Sequence, residues 1–128
     1  MPVRIEHLID VTIDDAPASQ AATFDFQGVT PKRVSLYVQV VESGSGATVT
    51  LTVELSPDDG STLIDYDKLL TDAGTDAPVA SVVYTQTGDD IVSLSPEDVL
   101  DYIKVTMTGG STTSNNNYAV DVWMVFTY

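Results

Sequence analysis

Residues 33–55 read RVSLYVQVVESGSGATVTLTVEL, two runs of strict alternation joined by a small-residue loop. Val34, Leu36, Val38 and Val40 alternate with Arg33, Ser35, Tyr37 and Gln39. Past Glu42-Ser43-Gly44-Ser45-Gly46, the same period returns as Val49, Leu51, Val53 and Leu55 against Thr48, Thr50, Thr52 and Glu54. A period of two places the apolar side chains on one face of an extended chain. β-Branched residues fill many of these positions, as strands favour. Two such runs around a Gly/Ser loop predict a β-hairpin.

The same grammar extends in both directions. Ser56-Pro57-Asp58-Asp59-Gly60-Ser61-Thr62 is a turn in which Pro fixes φ, Asp bonds the local backbone and Gly accepts positive φ. Asp65 to Leu70 has the makings of a short helix before Gly74. Ala80 to Thr87 and Ile91 to Leu94 read as strands around Gly88-Asp89-Asp90. Ser95-Pro96-Glu97-Asp98 combines an N-cap Ser, Pro at the first helical position and early acids, which predicts one short helical turn. Ile103, Val105 and Met107 alternate with Tyr102, Lys104 and Thr106, and after a turn-rich run from Gly109 to Asn117 the last strand spans Tyr118 to Tyr128. Towards the amino terminus, Phe24-Asp25-Phe26 is a short strand. Val3, Ile5, Ile9, Val11 and Ile13 fall on one side of an opening strand that Asp14 to Gln20 breaks.

About eight strands with no strand–helix–strand alternation predict an all-β, antiparallel two-sheet β-sandwich, jelly-roll-like or Ig-like in topology. Residues 1–20 form an amino-terminal strand or arm, and residues 21–128 form the sandwich domain. As an arm, the first strand would add to a neighbour's sheet edge, and deleting residues 1–13 would leave the β structure intact. As the first strand of its own sandwich, it would belong to the core. The last strand is apolar on both sides: Tyr118, Val120, Val122, Met124, Phe126 and Tyr128 line one face, while Ala119, Trp123 and Val125 occupy the other. Such a strand is central in a sheet or covered by another subunit. Val3, Ile5, Ile9, Val11, Ile13, Trp123 and Val125 are therefore the candidate interface residues.

The chain has 128 residues, 43% of them apolar, and no cysteine. One domain of this size hides about 65–70% of its unfolded surface, while disulfides, thiolate metal sites and cysteine nucleophiles are excluded. Five Lys and Arg stand against nineteen Asp and Glu, a net charge of -14. That field repels phosphate backbones and anionic headgroups, so neither nucleic acid nor a membrane surface is an expected partner. Self-repulsion of this size predicts that the thermal midpoint rises between low and molar sodium chloride. A flat or falling midpoint would contradict it. No basic start followed by a long apolar run is present, so synthesis in the cytoplasm is expected.

The residues offer little for catalysis. His7 is the sole histidine, set among apolar neighbours of the opening strand where packing or hydrogen bonding is the simpler role. Glycine-rich phosphate loops, HExxH and GxSxG are absent, so no enzyme and no cofactor is expected. Asp58, Asp59, Asp65 and Asp67 are oxygen ligands of the kind calcium takes, but their spacing fits no EF-hand loop, and a turn with a solvated acidic rim is the plainer reading. Tyr37, Tyr66, Tyr84, Tyr102, Tyr118, Trp123 and Tyr128 would suit a sugar-stacking platform only if several were coplanar and exposed.

The string Leu51-Thr52-Val53-Glu54-Leu55-Ser56-Pro57-Asp58-Asp59-Gly60-Ser61-Thr62, followed by Tyr102-Ile103-Lys104-Val105-Thr106-Met107 and a closing strand, resembles small β-sandwich virion proteins of tailed phages. In that group a Ser-x-Asp-Gly-Gly hairpin precedes a Tyr-hydrophobic-Arg-Val strand. Here Asp59-Gly60 replaces Gly-Gly, and Lys104 stands where Arg is common. The resemblance spans residues 34–128. With the acidity and the missing catalytic residues, it implies a capsid decoration (cement) protein on the exterior of the virion. The partners it implies are the major capsid protein and further copies of itself in a homotrimer. A neck, tail or baseplate sandwich and a carbohydrate-binding module are the alternatives.

Overall fold

In the computed structural model, which describes residues 3–14, 19–44, 48–71, 78–99, 101–110 and 117–128, the alternating segments become ten strands. They are β1 (Arg4–Asp14), β2 (Ser19–Asp25), β3 (Arg33–Ser43), β4 (Val49–Ser56), β5 (Ile64–Asp65), β6 (Leu70–Thr71), β7 (Val82–Tyr84), β8 (Gly88–Leu94), β9 (Tyr102–Gly109) and β10 (Asn117–Thr127). One sheet runs β1-β10-β3-β8-β6, and the other runs β2-β9-β4-β5 with β7 also paired to β4. All pairings are antiparallel. Apart from β6 and β7, the strands form the orders β1-β10-β3-β8 and β2-β9-β4-β5. That interleaving, in which the first and last strands are neighbours, is the double Greek key of a jelly roll.

The core lies between the sheets. Val34, Leu36, Val38 and Val40 of β3 and Tyr118, Val120, Val122, Met124 and Phe126 of β10 face Val49, Leu51 and Val53 of β4 and Ile103, Val105 and Met107 of β9, all of them buried. One end is closed by aromatic rings in edge-on or tilted contact, with Phe24, Phe26 and Tyr128 around Phe126 at centroid distances of 5.2 to 5.4 Å. Such pairs add stability beyond the area they bury.

Three local expectations change. The runs around the Gly/Ser loop do not form a hairpin: β3 pairs with β10 and β8, whereas β4 pairs with β9, β5 and β7. The chain crosses between sheets there, because a period of two fixes which face is buried and not which strand lies alongside. Asp65 to Leu70 forms no helix. Tyr66 and Leu69 are buried three residues apart, which imitates a helical face. Yet the Tyr66 N–H donates to the Val53 carbonyl at 2.9 Å, and Leu69 exchanges two 2.9 Å bonds with Val79. Gly88-Asp89-Asp90 belongs to β8 and is not the turn of a hairpin, since β7 and β8 lie in opposite sheets. The predicted helical turn is present as a 3-10 turn at Pro96–Asp98, but Ser95 makes no side-chain cap. Instead the Ser95 N–H donates to the Tyr66 hydroxyl at 3.2 Å, which donates to Asp98 at 2.9 Å.

β1 pairs along its length with β10 of the same chain, and its register slips between His7 and Ile9. A bulge adds one residue and reverses which side chains point inward. Past it, Ile9 and Ile13 are core residues at 2% and 4% exposure, with Val11 half-buried against them. Before it, Val3 and Ile5 are exposed at 58% and 63%. The five apolar residues expected on one side of this strand are thus divided between two faces.

Candidate functional site

Register places the outward side chains of the β1-β10-β3-β8 sheet in rows. Ile5, Val125, Ser35 and Ser93 form one, and His7, Trp123, Tyr37 and Ile91 form the next. Asp10, Asp121, Gln39 and Asp89 form a third. The two adjacent rows gather Ile5, Val125, Trp123, Tyr37 and Ile91 into an apolar and aromatic strip, interrupted by Ser35 and Ser93, extended by Val3 and bordered on one side by three carboxylates. Tyr37 is exposed, while Trp123, Val125 and Ile91 are half-buried. Open depressions of about 350 and 220 Å³ flank Tyr37 on either side.

The opposite outer face is built differently. There Ser19 of β2 aligns with Thr108 and Thr50, Ala21 with Thr106 and Thr52, and Thr23 with Lys104 and Glu54. One sheet presents mainly hydroxyls and the Lys104–Glu54 row, interrupted by Val83 opposite Thr50 at 54% exposure, and the other presents Ile5, Val125, Trp123, Tyr37 and Ile91 beside Ser35 and Ser93. Contiguous apolar surface rimmed by polar residues marks contact sites.

Of the candidate interface residues, Val3, Ile5, Trp123 and Val125 gather on this strip. Ile9 and Ile13 are held in the core, and the half-buried Val11 packs against it, so these three lie off the strip. Sequence reasoning missed Tyr37 and Ile91, which only strand order brings beside Trp123. It also passed over adjacent Leu8-Ile9, the break in alternation that signals the bulge.

His7 stacks on Trp123 with centroids 4.7 Å apart and planes 13° from parallel. Its Nε2 lies 2.9 Å from Asp121 Oδ1. Asp10 and Asp121 stand directly opposite each other across β1 and β10, a like-charge pair that costs stability. Among the described residues the side-chain hydrogen-bond partner of His7 is Asp121.

A second acidic group forms where β2, β9 and β4 end together. Asp25, Asp59 and Asp101 bring carboxylate oxygens within 4.8 Å of one another. Asp101 accepts from the Gly28 N–H at 2.8 Å and the Asp59 N–H at 2.9 Å, and Asp25 accepts from the Gln27 N–H at 2.7 Å. Asp59 has φ of 60° and Gly60 has φ of 88°. A Cβ on Gly60 would sit 3.0 Å from the Tyr102 ring, and its positive φ is one that glycine adopts without strain.

The four aspartates read from sequence as calcium ligands are dispersed. Asp58 is engaged locally, accepting from Ser56 Oγ at 2.8 Å, the Thr62 N–H at 2.7 Å and Thr62 Oγ1 at 2.8 Å. The Thr62 hydroxyl above all holds its carboxyl below the usual carboxylate range. Asp65 and Asp67 are exposed beside an open depression of about 330 Å³. Only Asp59 joins a carboxylate group, with Asp25 and Asp101.

Asp59 is shifted oppositely to Asp58. Asp25 beside it raises its carboxyl above the usual range, first by sharing its proton and then by charge, with Asp101 and Asp58 adding. A raised folded-state value means the repulsion is relieved below the unfolded value and fully present above the folded one. Asp59→Asn is therefore expected to melt higher than the parent at neutral pH, with the gap closing as pH falls through the carboxylate range. Equal midpoints at neutral pH would contradict the repulsion.

Of the seven aromatics named from sequence, Tyr37 and Trp123 stand side by side on the strip, and the other five lie away from it. Tyr66 and Tyr118 are buried, and Tyr84, Tyr102 and Tyr128 are half-buried. Tyr118 donates to Glu42 at 2.8 Å and Tyr84 donates to Asp90 at 2.9 Å. Burial, aided by these carboxylates, raises both phenols. No helix among the described residues is long and apolar enough to cross a membrane.

No protein-family model and no curated protein matches this chain. Solved structures do. The VP2 subviral particle of infectious bursal disease virus matches 99% of this chain at a TM-score of 0.56 and 10% identity. The Gt and Gx strains of the same virus match 98% of it at TM-scores of 0.54 and 0.51, with 12% and 11% identity. This chain spans about a third of the length of each matched chain, at 32%, 32% and 33%. At such identity the likeness is one of fold.

Proposed function

We propose that this chain is a non-enzymatic virion structural protein that decorates the outer surface of a major capsid shell and cements it. The observation that carries this reading is a jelly-roll sandwich, the fold shared with the virus-particle structures above, that leaves an apolar strip open on one sheet and a mainly hydroxyl-bearing face on the other. Viral capsid domains use this fold repeatedly. The strip supplies a desolvated contact centre with a polar rim. The opposite face and the strongly acidic surface stay in solvent, keeping finished particles apart and leaving packaged nucleic acid untouched.

On this reading the major capsid protein is the partner, and the cement unit is a homotrimer, as the resemblance to phage decoration proteins implies. Co-sedimentation of the purified chain with preformed shells lacking it is the direct test. Saturable binding that increases the thermal stability of the shells supports the reading. A chain that remains in the supernatant with intact shells overturns it.

A further inference from the structure

We propose that His7, Asp10 and Asp121 form a binding site for a borderline divalent transition ion, of which zinc is the best-fitting example. The site lies at the acidic border of the outer strip and goes beyond the structural role. A ring nitrogen of His7 and one carboxylate oxygen from each aspartate already lie within 4.8 Å of one another. Zinc holds nitrogen at about 2.0–2.1 Å and carboxylate oxygen at about 2.0–2.2 Å, so two ligand atoms of a tetrahedral site stand about 3.4 Å apart. His7 and Asp10 are exposed and Asp121 is half-buried, so rotation of side chains closes the difference with no change in the sheet.

The backbone has to be broken to create this arrangement. Residues three apart on a regular strand point to opposite faces. The bulge between His7 and Ile9 restores one face to His7 and Asp10, and register then sets Asp121 directly opposite Asp10. Bulges recur where a side chain must be re-aimed for function. The product is a like-charge cross-strand pair, which a sheet ordinarily avoids and which a divalent cation would turn from a cost into a gain.

The third donor distinguishes this group from an acidic cluster. It is a nitrogen, held at a fixed angle by the stack on Trp123. One imidazole with two carboxylates suits zinc and its first-row neighbours, whereas calcium requires six to eight oxygens. Three protein donors leave one tetrahedral position for water. Asp25, Asp59 and Asp101 offer oxygens alone, several of them already accepting backbone N–H groups.

The chain carries its own reporters, since it has one tryptophan and one histidine, and they are stacked. Chelator-treated full-length protein titrated with zinc chloride should show a saturable change in Trp123 fluorescence and in the His7 imidazole resonances, at one ion per chain. His7→Ala and the isosteric Asp10→Asn should each weaken zinc by more than about tenfold, with unchanged far-UV circular dichroism. Magnesium and calcium at the same concentrations should leave both signals in place. The proposal is overturned by the absence of a saturable response up to millimolar zinc. Parental zinc affinity in His7→Ala, or calcium acting as strongly as zinc, overturns it equally.

Discussion

A chain lacking residues 1–13 is expected to lose cooperative unfolding and most of its β signal. The magnitudes decide this. Burying Ile9 and Ile13 is worth about 1.5–3 kcal/mol each, and the backbone bonds that join β1 to β10 from Arg4 to Asp14 add roughly 1 kcal/mol apiece. A domain of this kind has only about 5–15 kcal/mol of net stability. Removing β1 also opens the inner face of β10, where Val120 and Val122 are at most 1% exposed. In the arm reading the same deletion leaves the sandwich standing. Thermal melts by circular dichroism separate the two. A cooperative transition near that of the full chain would return β1 to the role of a dispensable arm.

Shell binding should fall by about 30-fold or more when Ile5 and Tyr37 are both replaced by Glu, while the melting temperature changes little. The few residues that dominate an interface carry about 2 kcal/mol or more each, and losing one of them, about 2 kcal/mol, corresponds to roughly 30-fold in affinity. Both residues are exposed on the free chain, at 63% and 39%, and such surface changes usually alter stability by less than about 0.5 kcal/mol. Thr106→Glu, on the polar outer face of the other sheet, is the matched control and should bind as the parent does. If the double variant binds shells normally and Thr106→Glu does not, the contact face is the other sheet.

Period-two alternation made β3, β4, β9 and β10 legible residue by residue, because each keeps strict phase between core and solvent. It left their neighbours open. Val34 to Val40 and Val49 to Leu55 carry the same inward pattern whether they lie side by side or face each other across the core, and here they face each other. The opening strand was misphased for a related reason. Val3 and Ile5 before Leu8, and Ile9 and Ile13 after it, are all odd-numbered, so only the inserted residue at the bulge separates surface from core.

The site was legible in part. Trp123 and Val125 stood out as apolar residues on the wrong side of an already apolar strand. Tyr37 and Ile91 looked like ordinary outward residues, and only the order β1-β10-β3-β8 sets them in one row with Trp123. The acidic groups depend still more on distant pairing. Asp25, Asp59 and Asp101 meet because β2, β9 and β4 end together at Tyr102, which pairs with both Asp25 and Ser56. Asp58, Asp59, Asp65 and Asp67 are close in sequence, yet a turn that uses Asp58 internally keeps them apart.

Cryo-electron microscopy of particles from the source of this chain tests the decorating role most directly. The expected map contains this jelly roll as density on the outside of the shell, with Ile5, Tyr37, Trp123 and Val125 against the major capsid protein and the threonine-rich sheet facing solvent. Particles that lack the chain, or that hold it only at the neck or tail, would contradict the decorating role.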